Sequence, residues 1–337
     1  MARPPRCEFP GALHLVSAGG SPGAHVFYDP DLFTRFPDNP RAHAPHVEVF
    51  ERLLWDACEQ YDAWVHAYVT EPNTALIVLQ SGGAPLSWLM HDLLSRYARH
   101  LGGEHPTPRG AKLFPRRYKA QLVQPAKLPY AVRYVQRREL PAARRRAVNH
   151  PFSSSLIYCG RRAPPARFRV SALRAALEPL GYVGPGAYFE FMARGDSPAI
   201  ADLLARPVIG ERGYRQAVRE RCRTPVPAPS PEDLLREVTC TVLHTEPGVA
   251  CASTHRGALA RALVAWYAMR TGAARIGTVG GWFGVTSSDL RYLIHRHRRA
   301  HPQYFALATP DLFPDLPAPA PVPAPRAAQT SAPYGTP

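Results

Sequence analysis

Two stretches of this 337-residue chain carry side chains of the kind that can hold a polyanion. The first is a pair of basic runs. Arg109, Lys112, Arg116, Arg117 and Lys119 are interleaved with Phe114 and Tyr118. Arg133, Arg137, Arg138, Arg144, Arg145 and Arg146 follow with a single acid among them, Glu139. Cations neutralise phosphates and aromatic faces stack on bases, so this mixture suits single-stranded or hairpin DNA. The second stretch is "GVTSSDLRYLIHRHRRAHPQ", residues 284–303. A glycine turn, a Thr or Ser cap and a basic helix together read as the second half of a helix-turn-helix. Its candidate groove and phosphate contacts are Thr286, Ser287, Ser288, Arg291 and Arg296. His295 and His297 lie two apart and share no helix face, which argues against a metal pair there.

Bulk composition points the same way without proving it. The formal net charge is +15, from 41 Lys and Arg against 26 Asp and Glu, which favours a polyanionic partner. Lys occurs only at 112, 119 and 127, and Pro numbers 38, so the arginine excess also fits a GC-rich genome. The same runs then read as a solvated surface, and the placement of charge has to decide. None of the six cysteines forms a CxxC pair, which excludes zinc-finger and thioredoxin-like motifs. Their scatter suggests a reducing compartment. No apolar run approaches the ~18 residues of a membrane span, so a cytoplasmic protein without a membrane partner is expected.

The elements that must position these residues follow from periodicity. Strands are expected over 12–19, 63–69, 74–80 and 118–123, and helices over 47–61, 86–101 and 128–140. The order β-α-β-β-α-β-α predicts an α+β fold, a ferredoxin-like antiparallel sheet with packed helices. From about 166 the pattern turns helical. "SPED" at 230–233 starts a helix well, with Ser230 as cap and Pro231 in the first position. An all-α helix-turn-helix domain is expected to follow. The expected division is 1–165 α+β, 166–225 a helical extension, 226–308 the helical DNA-binding domain, and 309–337 a disordered Pro/Ala-rich tail.

One segment poses a puzzle. In "HAYVTEPNTALIVLQ" (66–80) an apolar strand begins at Thr74 directly after a Pro-Asn turn. Together with "MARPPRCEFPGALHLVSAGG", "GAKLFPRRYKAQLV", "RYVQRREL", "PFSSSLIYCG" and "LGYVGPGAYFEFMARG", it resembles, in order over roughly residues 1–220, the REP-associated single-tyrosine HUH transposases. Residues 254–301 resemble the C-terminal duplex-binding domain of the bacterial replication initiator DnaA.

The resemblance implies cleavage of single-stranded DNA by a tyrosine that becomes linked to the 5′ phosphate. Mg²⁺ or Mn²⁺ would be held by a His-hydrophobe-His strand and by a polar residue one helical turn after the tyrosine. Strand residues i and i+2 face one side, and helix residues i and i+4 share a face, so these groups converge. The tyrosine position falls on Tyr134. The histidine positions fall on Thr74 and Leu76, and the third ligand position falls on Arg138. Thr74 offers a neutral oxygen, Leu76 offers nothing, and Arg138 repels a cation. His66, on the preceding strand, lies outside the motif.

The expectation is therefore a DNA-binding protein of this transposase type. It would bind hairpin or single-stranded DNA, and duplex through its C-terminal domain, with strand cleavage lost or much reduced. No cofactor is expected, and Mg or Mn only if activity survives. A homodimer and a monomer both remain open. Two alternatives stand beside it: an active tyrosine transposase forming a 5′-phosphotyrosine intermediate, and an interaction protein or decaying gene product without DNA affinity.

Overall fold

The computed structural model describes residues 8–9, 11–21, 25–29, 45–82, 84–104, 113–137, 151–184, 186–223, 229–271, 273–307 and 312. Arg109, Lys112, Arg138, Arg144, Arg145, Arg146 and the Pro/Ala-rich tail, Leu312 excepted, lie outside the described residues.

β1 (Leu13–Gly19), α1 (Pro45–Gln60), β2 (Trp64–Thr70), β3 (Thr74–Gln80), α2 (Leu86–Glu104) and β4 (Lys119–Val123) follow in the expected order. The sheet runs β2-β3-β1-β4, each pair antiparallel. This is two interleaved βαβ units, the ferredoxin-like order. The segment after β4 forms α3 (Leu128–Arg137), the single turn α4 (Ser155–Tyr158), α5 (Val170–Leu177), α6 (Ala187–Ala193) and α7 (Pro198–Leu204). It then supplies β5 (Val208–Ile209), parallel to β4 at the sheet edge, before α8 (Arg212–Arg223). Two residues are too few for a period-two signal, so β5 was not legible in the sequence.

The central strands are apolar throughout because the sheet is covered on both faces. Val16, Ala18, Ala75, Ile77 and Leu79 pack with Phe50, Leu54, Leu93 and Tyr97 of α1 and α2. Leu15, Val69, Leu76, Val78 and Val123 pack on the other face with Leu128, Val132 and Val135 of α3, Leu173 and Leu177 of α5, and Phe191 of α6. In β2 the pairing skips between Val65 and Ala67, leaving His66 as the extra residue of a bulge. Val65 and Tyr68, three apart, therefore serve the same face.

The C-terminal helices begin as the caps predict. Ser230 Oγ accepts the Asp233 N–H at the head of α9 (Pro231–Arg236), which continues as a π-helical turn over Glu237–Val242. α10 (His255–Thr271), α11 (Ile276–Phe283), α12 (Ser287–Ala300) and the short α13 (Pro302–Ala306) complete the unit. The α11–α12 turn depends on glycine twice. Gly284 closes α11 at φ +64°, and a Cβ on Gly280 would lie 2.5 Å from the Val285 carbonyl oxygen. Thr286 and Asp289 form a reciprocal capping box. Leu263, Leu290 and Ile294 join the apolar cluster that also holds α1 and α2, so this unit is docked on the α1–α2 side of the sheet.

Cys58, Cys159, Cys240 and Cys251 are free thiols, whereas Cys222 is disulfide-bonded, which the scatter of cysteines along the chain does not anticipate. Among the described residues no helix is long and apolar enough to cross a membrane.

Candidate nucleic-acid interface

α3 starts after Pro125–Lys127 and lays Leu128, Ala131, Val132 and Val135 on the sheet. Tyr134, half-buried, packs at the margin of this apolar cluster. Leu76 stands in the same cluster at 2% exposure. Thr74, two residues earlier, is half-buried opposite Gly19 at the end of β1. The strand positions and the tyrosine helix thus belong to one face of the sheet, and that face is lined with hydrocarbon.

These residues do not fit a divalent cation. Leu76 has no donor atom, and its neighbours Val69, Val78, Val132 and Val135 have none either. Among the described residues there is no group of three His, Cys, Asp or Glu side chains that could hold a metal ion. His66 points elsewhere: its Nε2 lies 3.3 Å from Gln80 Oε1. Burial pushes its imidazole down to about 4, with Arg169 adding to the shift and the Gln80 contact opposing it. Because the Leu76 site is closed, Leu76→His is expected to lower stability by about 2–4 kcal/mol, from an unpaired imidazole among apolar neighbours. Urea unfolding measures this; an unchanged midpoint would mean that the position opens to water.

The basic residues divide. Arg116 and Arg117 are exposed and line a cleft of about 780 Å³, with His25, Met90, His91, Leu94, Phe114 and Tyr118 around it. Lys119, at the start of β4, is also exposed. The cleft borders α2, on the face of the sheet opposite α3. Among the described residues, Arg116 and Arg117 thus lie on one side of the sheet, and Arg133 and Arg137 belong to the helix on the other.

Arg133 differs most from its expected role as a DNA contact. It is 3% exposed, ion-paired to Asp196, and donates to the Phe191 carbonyl oxygen at 3.1 Å. Its guanidinium lies 4.2 Å from the Phe191 ring centroid and 5.4 Å from that of Tyr130. The physical reason is the helical extension, which covers α3 and turns this arginine into an internal cation. Arg137 in the last turn of α3 donates to the Arg194 carbonyl oxygen at 2.7 Å.

At the α11–α12 turn, Thr286 is committed to its cap: its hydroxyl lies 2.7 Å from Asp289 Oδ2 and 3.1 Å from the Asp289 N–H. Ser287 is half-buried, whereas Ser288 and Arg296 are exposed. Arg291 is half-buried and acts electrostatically on Tyr61 at the end of α1. Tyr292 and Arg299, absent from the sequence-level candidates, are exposed. Their signal was available, since both lie opposite Leu290 and Ile294 on a helical wheel.

No family model matches the chain, and no curated protein matches it. A solved structure of a REP-associated tyrosine transposase bound to a REP hairpin is similar over 50% of this chain and 92% of its own, at 11% sequence identity and a TM-score of 0.35.

Proposed function

We propose that this chain binds DNA as a derivative of the REP-associated tyrosine transposases, with strand cleavage lost or much reduced. The carrying observation is the buried leucine in the hydrocarbon-lined face beneath the tyrosine helix, where the resemblance calls for a metal-bound imidazole. Tyr134 on that helix serves as a packed aromatic. Arg116, Arg117 and Lys119, beside an aromatic-walled cleft, are the contacts for a hairpin or single strand. The helix-turn-helix is the contact for duplex.

Two measurements test this reading. A labelled single-stranded hairpin should bind with an affinity that falls steeply with salt. The triple variant Arg116→Gln, Arg117→Gln, Lys119→Gln should make the log–log slope shallower by about 2, near the −0.7 per contact of single strands. A flat salt response in the unaltered protein would remove DNA from the reading. Incubation with the same hairpin and Mn²⁺ should yield no covalent protein–DNA adduct. An adduct that disappears in Tyr134→Phe would instead establish an active transposase.

A further inference from the structure

α12 divides into three sectors, at about 100° per residue. Leu290, Ile294 and His297 are buried and face α10. Arg291, His295 and Arg298 form the second sector. Arg291 and Arg298 act on Tyr61, His295 lies within the fields of Asp92 and Arg96 on α2, and Arg298 also feels Asp62 and Arg167. The Arg298 guanidinium additionally sits 4.9 Å from the Trp266 ring centroid. This flank is half-buried and faces the sheet domain. The third sector is Ser288, Tyr292, Arg296 and Arg299, confined to an arc of about 80° and all exposed, with Tyr292 at 62%.

We infer that the Ser288–Tyr292–Arg296–Arg299 stripe is the surface of α12 that meets duplex DNA, with Arg296 and Arg299 on phosphates and Tyr292 at the base edges. This rests on the DNA-binding reading above and changes which residues carry it: Arg291 belongs to the domain seam. The stripe carries two cations. The one acid of α12, Asp289, accepts from the Thr286 hydroxyl and the Thr286 backbone N–H and is held back against the cap. Fourteen residues make a rod of about 21 Å, and the tight turn set by Gly280 and Gly284 holds it rigidly against α10. A helix of this kind enters a major groove about 12 Å wide, where a phenol and a serine hydroxyl reach base edges.

The test uses the full chain and a fluorescent random-sequence duplex of about two helical turns, titrated over a salt series. The double variant Arg296→Gln, Arg299→Gln should make the slope shallower by about 1.8, at roughly 0.9 per phosphate lost. Tyr292→Ala should weaken binding about tenfold at every salt concentration and leave the slope unchanged. All three positions are exposed, and unchanged helical circular dichroism verifies that the variants fold. Duplex binding that ignores these substitutions overturns the stripe and leaves the DNA-binding reading standing. Binding of the hairpin alone, or preference of the stripe for a single strand of equal length, has the same consequence. Failure of the unaltered chain to bind any DNA overturns both.

Discussion

Lowering the pH from about 7 to about 5 is expected to cost about 1–2 kcal/mol through His297 in the C-terminal helices, and His297→Leu is expected to remove that part of the acid sensitivity. His297 is 0% exposed, and among the described residues neither ring nitrogen has a hydrogen-bond partner. Its ring centroid lies 4.9 Å from that of His255 and 6.2 Å from that of His301. Burial first, then His255, Arg296 and His301, hold its imidazole down at about 4. In the unfolded chain a histidine takes up its proton near the ordinary value of about 6.5. The folded form therefore binds fewer protons than the unfolded form between these limits. The stabilisation is complete above about 6.5 and is lost as pH falls through about 4. His66, held down to about 4 chiefly by burial, works in the same direction in β2. His297→Leu removes a titrating group that satisfies no partner, so its melting temperature should match the unaltered chain at neutral pH and exceed it near pH 5. Equal acid sensitivity in both proteins would show that this histidine takes up its proton without cost.

Arg133→Met should destabilise the α3–α6 packing by about 3 kcal/mol. The ion pair with Asp196 is largely out of water, at 4% and 24% side-chain exposure. Removing the guanidinium strands a partly buried carboxylate and leaves the Phe191 carbonyl without this donor. It also removes the cation held against the paired rings of Tyr130 and Phe191, whose contribution is about 1 kcal/mol or more when desolvated. Arg133→Met combined with Asp196→Leu should recover much of the loss, because a well-packed apolar pair often matches a buried ion pair. Urea midpoints of the three variants, with protease sensitivity of the segment 187–196, measure this. Should the single and double variants lose equal stability, the cost would lie in the packing of the arginine stem and not in a stranded charge.

These residues show where sequence reasoning reached and where it stopped. The βαββαβ order, the caps at Ser230 and Thr286, and the glycine-closed turn at Gly284 were legible because each rests on local periodicity or on bonds a few residues long. The shared face of Leu76 and the tyrosine helix was reachable through the resemblance, since strand and helix parity are local rules. The environment of each arginine was not legible. Arg133 and Arg116 belong to similar basic runs, yet one is internal and the other lines a cleft. That difference arises from α6 and the loop after it, some 55–65 residues further on, which fold back over α3 and supply the Phe191 ring and Asp196. Likewise any helical wheel separates Leu290 from Tyr292. Only the docking of the C-terminal unit on α1 and α2 separates Arg291, set in the seam, from Arg296, in water. Local spacing determined which elements form and which faces are apolar. Long-range packing alone decided which charges remain at the surface, because a cation's exposure depends on what covers it and the covering segment lies far away along the chain.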